Sequence, residues 1–114
     1  MNFDVIKLEV LNLSKSKVDD QTLYVVSKSC YGLLQLNLEQ CCDITEKGVR
    51  QIVENCIQLR EINFRDCLKV VSDVGLWTGM MFSRPSLRKI IAPRSFLPNG
   101  SLWELMLSHG CTIY

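Results

Sequence analysis

The chain has 114 residues, 47% hydrophobic and 22% charged, enough for one compact core and too few for two independent domains. Thirteen Lys and Arg against twelve Asp and Glu leave a net charge of +1, which excludes the bulk charge excess that draws nucleic acid or an anionic membrane. The start Met1 to Lys7 lacks the basic segment and long apolar run of a secretory signal, and no later apolar run reaches membrane-spanning length. The expected setting is reducing, cytoplasmic and/or nuclear, with neither nucleic acid nor a membrane as partner.

Taken in chain order, the apolar residues repeat. Leu8, Leu11 and Leu13 spell L-x-x-L-x-L, which returns as Leu33, Leu36, Leu38, then as Leu59, Ile62, Phe64 and, more weakly, as Leu87, Ile90, Ala92. The starts are 25, 26 and 28 residues apart, inside the range of about 20–29 residues for repeats that each supply one strand of a stacked sheet. Cys30 to Cys56 and Cys41 to Cys67 are each separated by 26 residues, a spacing that a structural repeat produces automatically and that metal chelation does not need.

Residues 1–7 offer a partial cover through Phe3, Val5 and Ile6. The first repeat occupies 8–32, the second 33–58, the third 59–86, and 87–114 form a degenerate fourth repeat or C-terminal cap. Three residues past each strand stand Ser16, Cys41, Cys67 and Ser95, small donors suited to carbonyls that an inward turn leaves unpaired. Cys41 and Cys67 are thus expected to be structural, with Cys42 a loop thiol. Asp19, Thr45 and Ser72 are N-cap residues, each followed by a carboxylate. Helices are predicted to start there. Val49, Ile52, Val53 and Cys56 make an apolar helical stripe, matched by Leu23, Val26, Ser27 and Cys30 and echoed by Leu102, Leu105, Met106 and His109. Cys30 and Cys56 are therefore expected to be core thiols closing their helices, and His109 is expected in the core. The third helix is predicted near Gly75 to Phe82 and the last over Ser101 to Ser108, stopped by Gly110, with Cys111 to Tyr114 as a final short strand. The uncovered edge of Leu8, Leu11 and Leu13 predicts either further repeats upstream or something docked there.

The phrase Leu36-Asn37-Leu38-Glu39-Gln40-Cys41-Cys42-Asp43-Ile44-Thr45-Glu46-Lys47-Gly48-Val49, followed by Cys56, resembles the cysteine-containing leucine-rich repeat. Ile62-Asn63-Phe64-Arg65-Asp66-Cys67 and Val71-Ser72-Asp73-Val74-Gly75-Leu76 are similar to the same phrase. Such repeats typify F-box/leucine-rich-repeat proteins, plant ones included, and antagonist-of-mitotic-exit proteins. The resemblance implies an α/β leucine-rich-repeat solenoid of about four strand-turn-helix repeats with a short parallel sheet on its concave side. It also implies the substrate-holding arm of a Skp-cullin-F-box ubiquitin ligase. No segment of the chain resembles an F-box, so ligase membership would need an upstream F-box segment or a Skp-type adaptor. The alternative is a ligase-independent scaffold or regulatory inhibitor of a signalling protein.

Residues alternating with the buried apolar positions should face the concave side. They are Val10, Asn12 and Ser14; Gln35, Asn37 and Glu39; Glu61, Asn63 and Arg65; and Lys89, Ile91 and Pro93. The expected partner-binding set is Asn12, Ser14, Gln35, Asn37, Glu39, Glu61, Asn63, Arg65, Lys89 and Arg94. Asn12, Asn37 and Asn63 fall in register, as an amide ladder that either binds or satisfies itself. Residues 74–114 carry four basic side chains and one acidic one, and Arg84, Arg88, Lys89 and Arg94 form a candidate patch for an acidic or phosphorylated segment. Trp77 and Trp103 are expected to pack between repeats.

Catalysis finds few agents. His109 is the only histidine, Cys111 is its nearest thiol, and no orienting carboxylate or oxyanion site accompanies them. The cysteine gaps do not pair as zinc requires, and no Gly-rich phosphate loop occurs. Asn12-Leu13-Ser14 and Asn99-Gly100-Ser101 match the glycosylation triplet only by chance. The expectation is a binding module without enzyme activity, metal or cofactor.

Overall fold

The structure is a computed structural model and describes residues 8–70, 76, 79, 80, 83–93 and 100–114, apart from the side chains of 102 and 103. Five short strands, β1 (Val10–Asn12), β2 (Gln35–Asn37), β3 (Glu61–Asn63), β4 (Lys89–Ile91) and β5 (Thr112–Ile113), make one parallel sheet in chain order. Helix α1 (Asp20–Ser29) joins β1 to β2, α2 (Glu46–Asn55) joins β2 to β3, and α3 (Gly100–Ser108) joins β4 to β5. Between β3 and β4, Leu76, Gly79, Met80 and Ser83 are helical. The fold is therefore α/β, built around a five-stranded parallel sheet. The N-terminal cover of Phe3, Val5 and Ile6, the cap at Ser72, the slot at Ser95, Arg94, and the side chains of Trp77, Leu102 and Trp103 lie outside the described residues.

The repeat of apolar residues becomes rows across the sheet. Leu11, Leu36, Ile62, Ile90 and Ile113 are register partners from one strand to the next. Leu36, Ile62 and Ile90 are buried, whereas Leu11 on the edge strand is half-buried. Leu38, Phe64 and Ala92 form a second buried row, with half-buried Leu13 at its open end. Fully burying one such side chain stabilises by roughly 1.5–3 kcal/mol, so the shared core supplies the drive for stacking.

Strands β1, β2 and β3 end after three residues because the chain turns a corner. Lys15, Gln40 and Asp66 hold φ values of 60°, 60° and 59°, a left-handed conformation that side-chain-bearing residues seldom adopt. The corner is held from outside: Lys15 N–H donates to the Glu39 carbonyl at 2.8 Å and Gln40 N–H to the Arg65 carbonyl at 2.9 Å. Nothing in the types Lys, Gln and Asp signals this recurring geometry, and the sequence reading missed it.

Helix starts fall where capping chemistry places them. The Asp19 carboxylate accepts from Thr22 N–H at 2.9 Å, and Thr45 Oγ1 accepts from Lys47 N–H at 3.2 Å. The Thr22 N–H, together with the Thr22 hydroxyl, holds the Asp19 carboxyl below the usual carboxylate range. At the other end Cys30 and Cys56 are buried C-cap residues whose N–H groups donate to Val26 and Ile52. Helices α1 and α2 lie side by side, and Gly48 permits it. A Cβ there would collide with the Asp20 carboxylate and come within 2.9 Å of Leu23 Cδ1.

Two sequence expectations are overturned. His109 is exposed rather than in the core. Helix α3 ends at Ser108, so the helical stripe no longer applies at 109; the ring folds back with Nδ1 3.0 Å from the Leu105 carbonyl. Gly110 then adopts φ +75° and Cys111 takes the buried place. Pro93 is buried rather than facing outward, because strand alternation stops at Ile91 and the chain turns in, Ala92 N–H donating to the Tyr114 carbonyl.

Candidate functional site

The outward side chains of the sheet form one continuous face. Val10 and Asn12 on β1 are followed by Gln35 and Asn37 on β2, Glu61 and Asn63 on β3, Lys89 and Ile91 on β4, then Thr112 on β5. Alternation puts these residues opposite the buried rows. Val10, Asn12 and Gln35 are exposed and the others half-buried. A groove of about 170 Å³ runs over the first three strands, lined by Val10, Leu11, Asn12, Gln35, Leu36, Asn37, Glu61 and Asn63.

Asn12, Asn37 and Asn63 are register partners, yet their carboxamide oxygens do not serve one another. Asn12 Oδ1 accepts from Ser14 N–H at 3.0 Å, Asn37 Oδ1 from Glu39 N–H at 2.9 Å, and Asn63 Oδ1 from Arg65 N–H at 3.0 Å. Each asparagine therefore braces the corner of its own strand, as Asx side chains do in turns. Its amide group remains directed at the face: Asn63 Nδ2 donates to Glu39 Oε1 at 3.3 Å.

Charge on the face is graded. Gln35 and the asparagines near β1 and β2 are neutral, Glu39 and Glu61 are acidic, and Arg65 and Lys89 are basic. Lys89 Nζ lies 3.8 Å from Glu61 Oε1 and 5.0 Å from the centre of the exposed Tyr114 ring. Half-buried Arg65 differs from both: its Nε is sealed from solvent and has no hydrogen-bond partner.

The predicted patch of Arg84, Arg88, Lys89 and Arg94 is not one patch. Arg84 turns to the end of α2, where Nε donates to the Val53 carbonyl at 2.7 Å and Nη2 to the Glu54 carbonyl at 2.9 Å. Those last-turn carbonyls have no partner within the helix and carry its negative dipole end. Arg88 donates to the Pro85 and Leu87 carbonyls. Lys89 alone of the three described members sits on the sheet face.

The thiols occupy matching places. Cys41 Sγ donates to the Leu13 carbonyl at 3.0 Å and Cys67 Sγ to the Leu38 carbonyl at 2.9 Å, each reaching the preceding corner. Ser16 Oγ donates to the same Leu13 carbonyl at 2.7 Å. Burial pushes the Cys67 thiol up to about 12, and the Cys56 and Cys111 thiols up to about 11; Cys30 is raised for the same reason. Burial thus disfavours the thiolate, the nucleophilic form of each of these groups. Among the described residues no group of three His, Cys, Asp or Glu side chains is placed to hold a metal ion, and no helix is long and apolar enough to cross a membrane. Cys42 is exposed.

One further link was not foreseen. Asp20, in the first turn of α1, accepts through Oδ1 from Thr45 N–H at 2.8 Å and through Oδ2 from the Thr45 hydroxyl. It thereby fixes the N-cap of α2. A cap residue one repeat after an acidic first turn was the available signal, legible only with the two helices side by side.

Comparison with known proteins gives a partial match. No family model matches the chain. Seventy-one residues are 28% identical to F-box/LRR-repeat protein 4 of Bos taurus, which covers 62% of this chain and 11% of that protein. The similarity is of leucine-rich-repeat character, and the chain spans a small fraction of the relative's length.

Proposed function

We propose that the chain is a leucine-rich-repeat solenoid whose act is to bind another protein on the outward face of its sheet. The observation that carries this reading is a pair of register rows, Val10, Gln35, Glu61, Lys89 and Asn12, Asn37, Asn63, Ile91, a mostly polar wall kept in place by the buried rows behind it. The asparagine oxygens are spent on corners, which stiffens the wall and leaves the amide groups on the face. A face ordered before binding loses little conformational freedom on association.

The finer reading is the substrate-recognition arm of a Skp-cullin-F-box ubiquitin ligase receptor, serving ubiquitin-dependent protein catabolism in the cytoplasm or nucleus. It is supported by the similarity to an F-box/LRR-repeat protein and by the repeat phrase around Cys41 and Cys67. The chain acts here by binding and not by catalysis, and the repeats are those of residues 8–32, 33–58, 59–86 and 87–114. A ligase-independent scaffold or inhibitor would use the same face.

Affinity capture from the cells that make the protein, followed by mass spectrometry, tests both levels. A partner retained by the wild type and by Glu54→Arg on the exposed side of α2, but lost with Gln35→Arg, supports the face. Co-recovery of a Skp-type adaptor or cullin supports the ligase reading. A partner that survives Gln35→Arg and Asn37→Arg together would refute the face.

A further inference from the structure

Resting on that binding reading, we infer that the partner places a carboxylate, the side chain of an Asp or Glu in an extended segment, on the guanidinium of Arg65. Lys89, the other described cation on the face itself, is occupied, as are Arg84, Arg88 and Lys69 elsewhere. Lys89 faces Glu61 and the Tyr114 ring, Arg84 caps α2, and Arg88 meets its own loop carbonyls. Lys69 pairs with Asp43. Arg65 takes part in neither of the two ion pairs among the described residues. Its backbone N–H and carbonyl are engaged by Asn63 and Gln40, but Nε is enclosed without an acceptor.

An arginine cannot relieve such an enclosure by losing its proton, because its charge persists at any physiological pH. The position is therefore an under-solvated fixed cation. Position 65 continues the alternation of Glu61 and Asn63 past the fully buried Phe64, at the rim of the face and one corner along from Glu39.

The surroundings select the anion. Glu39 is committed through Oε1 to Asn63 Nδ2, and Glu61 to Lys89. Both carboxylates belong to the same outward face, so a doubly charged phosphate would meet more repulsion there than a single carboxylate. A single carboxylate matches the single charge of this guanidinium, in the planar two-pronged geometry that guanidinium favours. The same segment, continuing toward β2 and β1, would pass over Glu39, Asn37 and Gln35, and would there present donors.

The test uses the full chain and a displayed library of short random peptides as the probe. Pools selected by the wild type are expected to be enriched in Asp and Glu. Individual members should lose binding by roughly tenfold or more with Arg65→Gln, the scale of a hydrogen bond to a charged group. The peptide's own Asp→Asn change should cause the same loss in the wild type and no additional loss in Arg65→Gln. Arg65→Glu should select basic pools instead. Thermal unfolding of Arg65→Gln and Arg65→Lys at the wild-type temperature separates lost binding from lost folding. If either variant melts early, the peptide change Asp→Asn against wild-type protein carries the test alone.

Peptides that bind with no acidic enrichment, or an Asp→Asn change without effect, would overturn this inference and leave the binding reading standing. Failure of the wild type to select any pool, together with insensitivity of natural-partner capture to Gln35→Arg, would overturn the reading beneath it. A phosphoserine replacement of the peptide's Asp that binds more tightly would overturn the assignment to a carboxylate.

Discussion

Between β1 and β3 each level of the chain is tied to the one before it at the corner where strand gives way to helix. Cys41 and Cys67 reach back to Leu13 and Leu38, and Asp20 reaches forward to Thr45. At the step to β4 the described ties lie at the opposite corner, where helix returns to strand. Arg84 holds the last carbonyls of α2, and Ser86 Oγ donates to the Leu59 carbonyl at 2.7 Å. Both regions keep the same parallel register. Register is thus a property of the apolar rows, and the polar ties are interchangeable means of closing backbone groups that the rows leave open.

The hardest test of that equivalence puts charge into the rows. Leu36→Asp or Ile52→Asp should cost several kcal/mol, the order of the whole stability of about 5–15 kcal/mol, and abolish the thermal unfolding transition. Ile90→Asp should instead melt β4 and β5 while amides of residues 35–63 stay protected from hydrogen exchange, as expected when each level contacts only its neighbours. Loss of protection everywhere would show that the two regions fold as one block.

Removing one tie from each region comes next. Arg84→Ala should destabilise by about 1.5–3 kcal/mol, because two helix-end carbonyls lose a charged donor, and Lys should not restore the loss. Cys67→Ala should cost about 1–3 kcal/mol by leaving the Leu38 carbonyl buried and unpaired. Urea unfolding of the two variants measures both, and near-zero effects for Cys67→Ala would remove the thiol from the comparison.

Gly48→Ala tests the α1–α2 approach directly. The added methyl meets the Asp20 carboxylate that fixes Thr45, and overpacking of this kind costs typically about 1–3 kcal/mol. Asp20→Ala in the same chain should absorb part of that loss, since the collision partner is gone.

The buried thiols also predict a dependence on pH. Cys56, Cys67 and Cys111 ionise near 11–12 when folded, against about 9 when unfolded. A raised folded value means that their stabilising contribution is complete below about pH 9 and is lost as pH rises toward 11–12. Melting temperature should therefore fall between pH 9 and 11, less steeply in Cys67→Ala. The same burial predicts that a thiol reagent at pH 7 modifies Cys42 and spares the other five cysteines. Rapid modification of Cys56 or Cys67 would contradict the buried placement.

How far the sequence led can be judged from particular residues. The rows through Leu36 and Phe64, the caps at Asp19 and Thr45, and the helix ends at Cys30 and Cys56 all follow from spacing, because apolar period and cap chemistry are local signals. His109 went astray because spacing was carried one residue past the helix. Arg84 was grouped with Arg88 and Lys89 by proximity in sequence, although its partners lie about a full repeat earlier. The amide row at Asn12, Asn37 and Asn63 was legible in position but not in direction: whether an amide serves its neighbour or its own turn depends on backbone N–H groups that only the folded corner exposes. On the candidate face the residues could be named, while the enclosure of Arg65 Nε without a partner depends on packing that only the folded chain shows.

The left-handed corners at Lys15, Gln40 and Asp66 bear on how such a chain can change over generations. The same corner recurs with lysine, glutamine and aspartate alike, so on the proposed repeat reading a whole storey could be duplicated or deleted while the apolar rows keep the register of those that flank it. Outward residues would then be free to diversify one storey at a time, and new recognition could arise by copying length rather than by redesigning the interior.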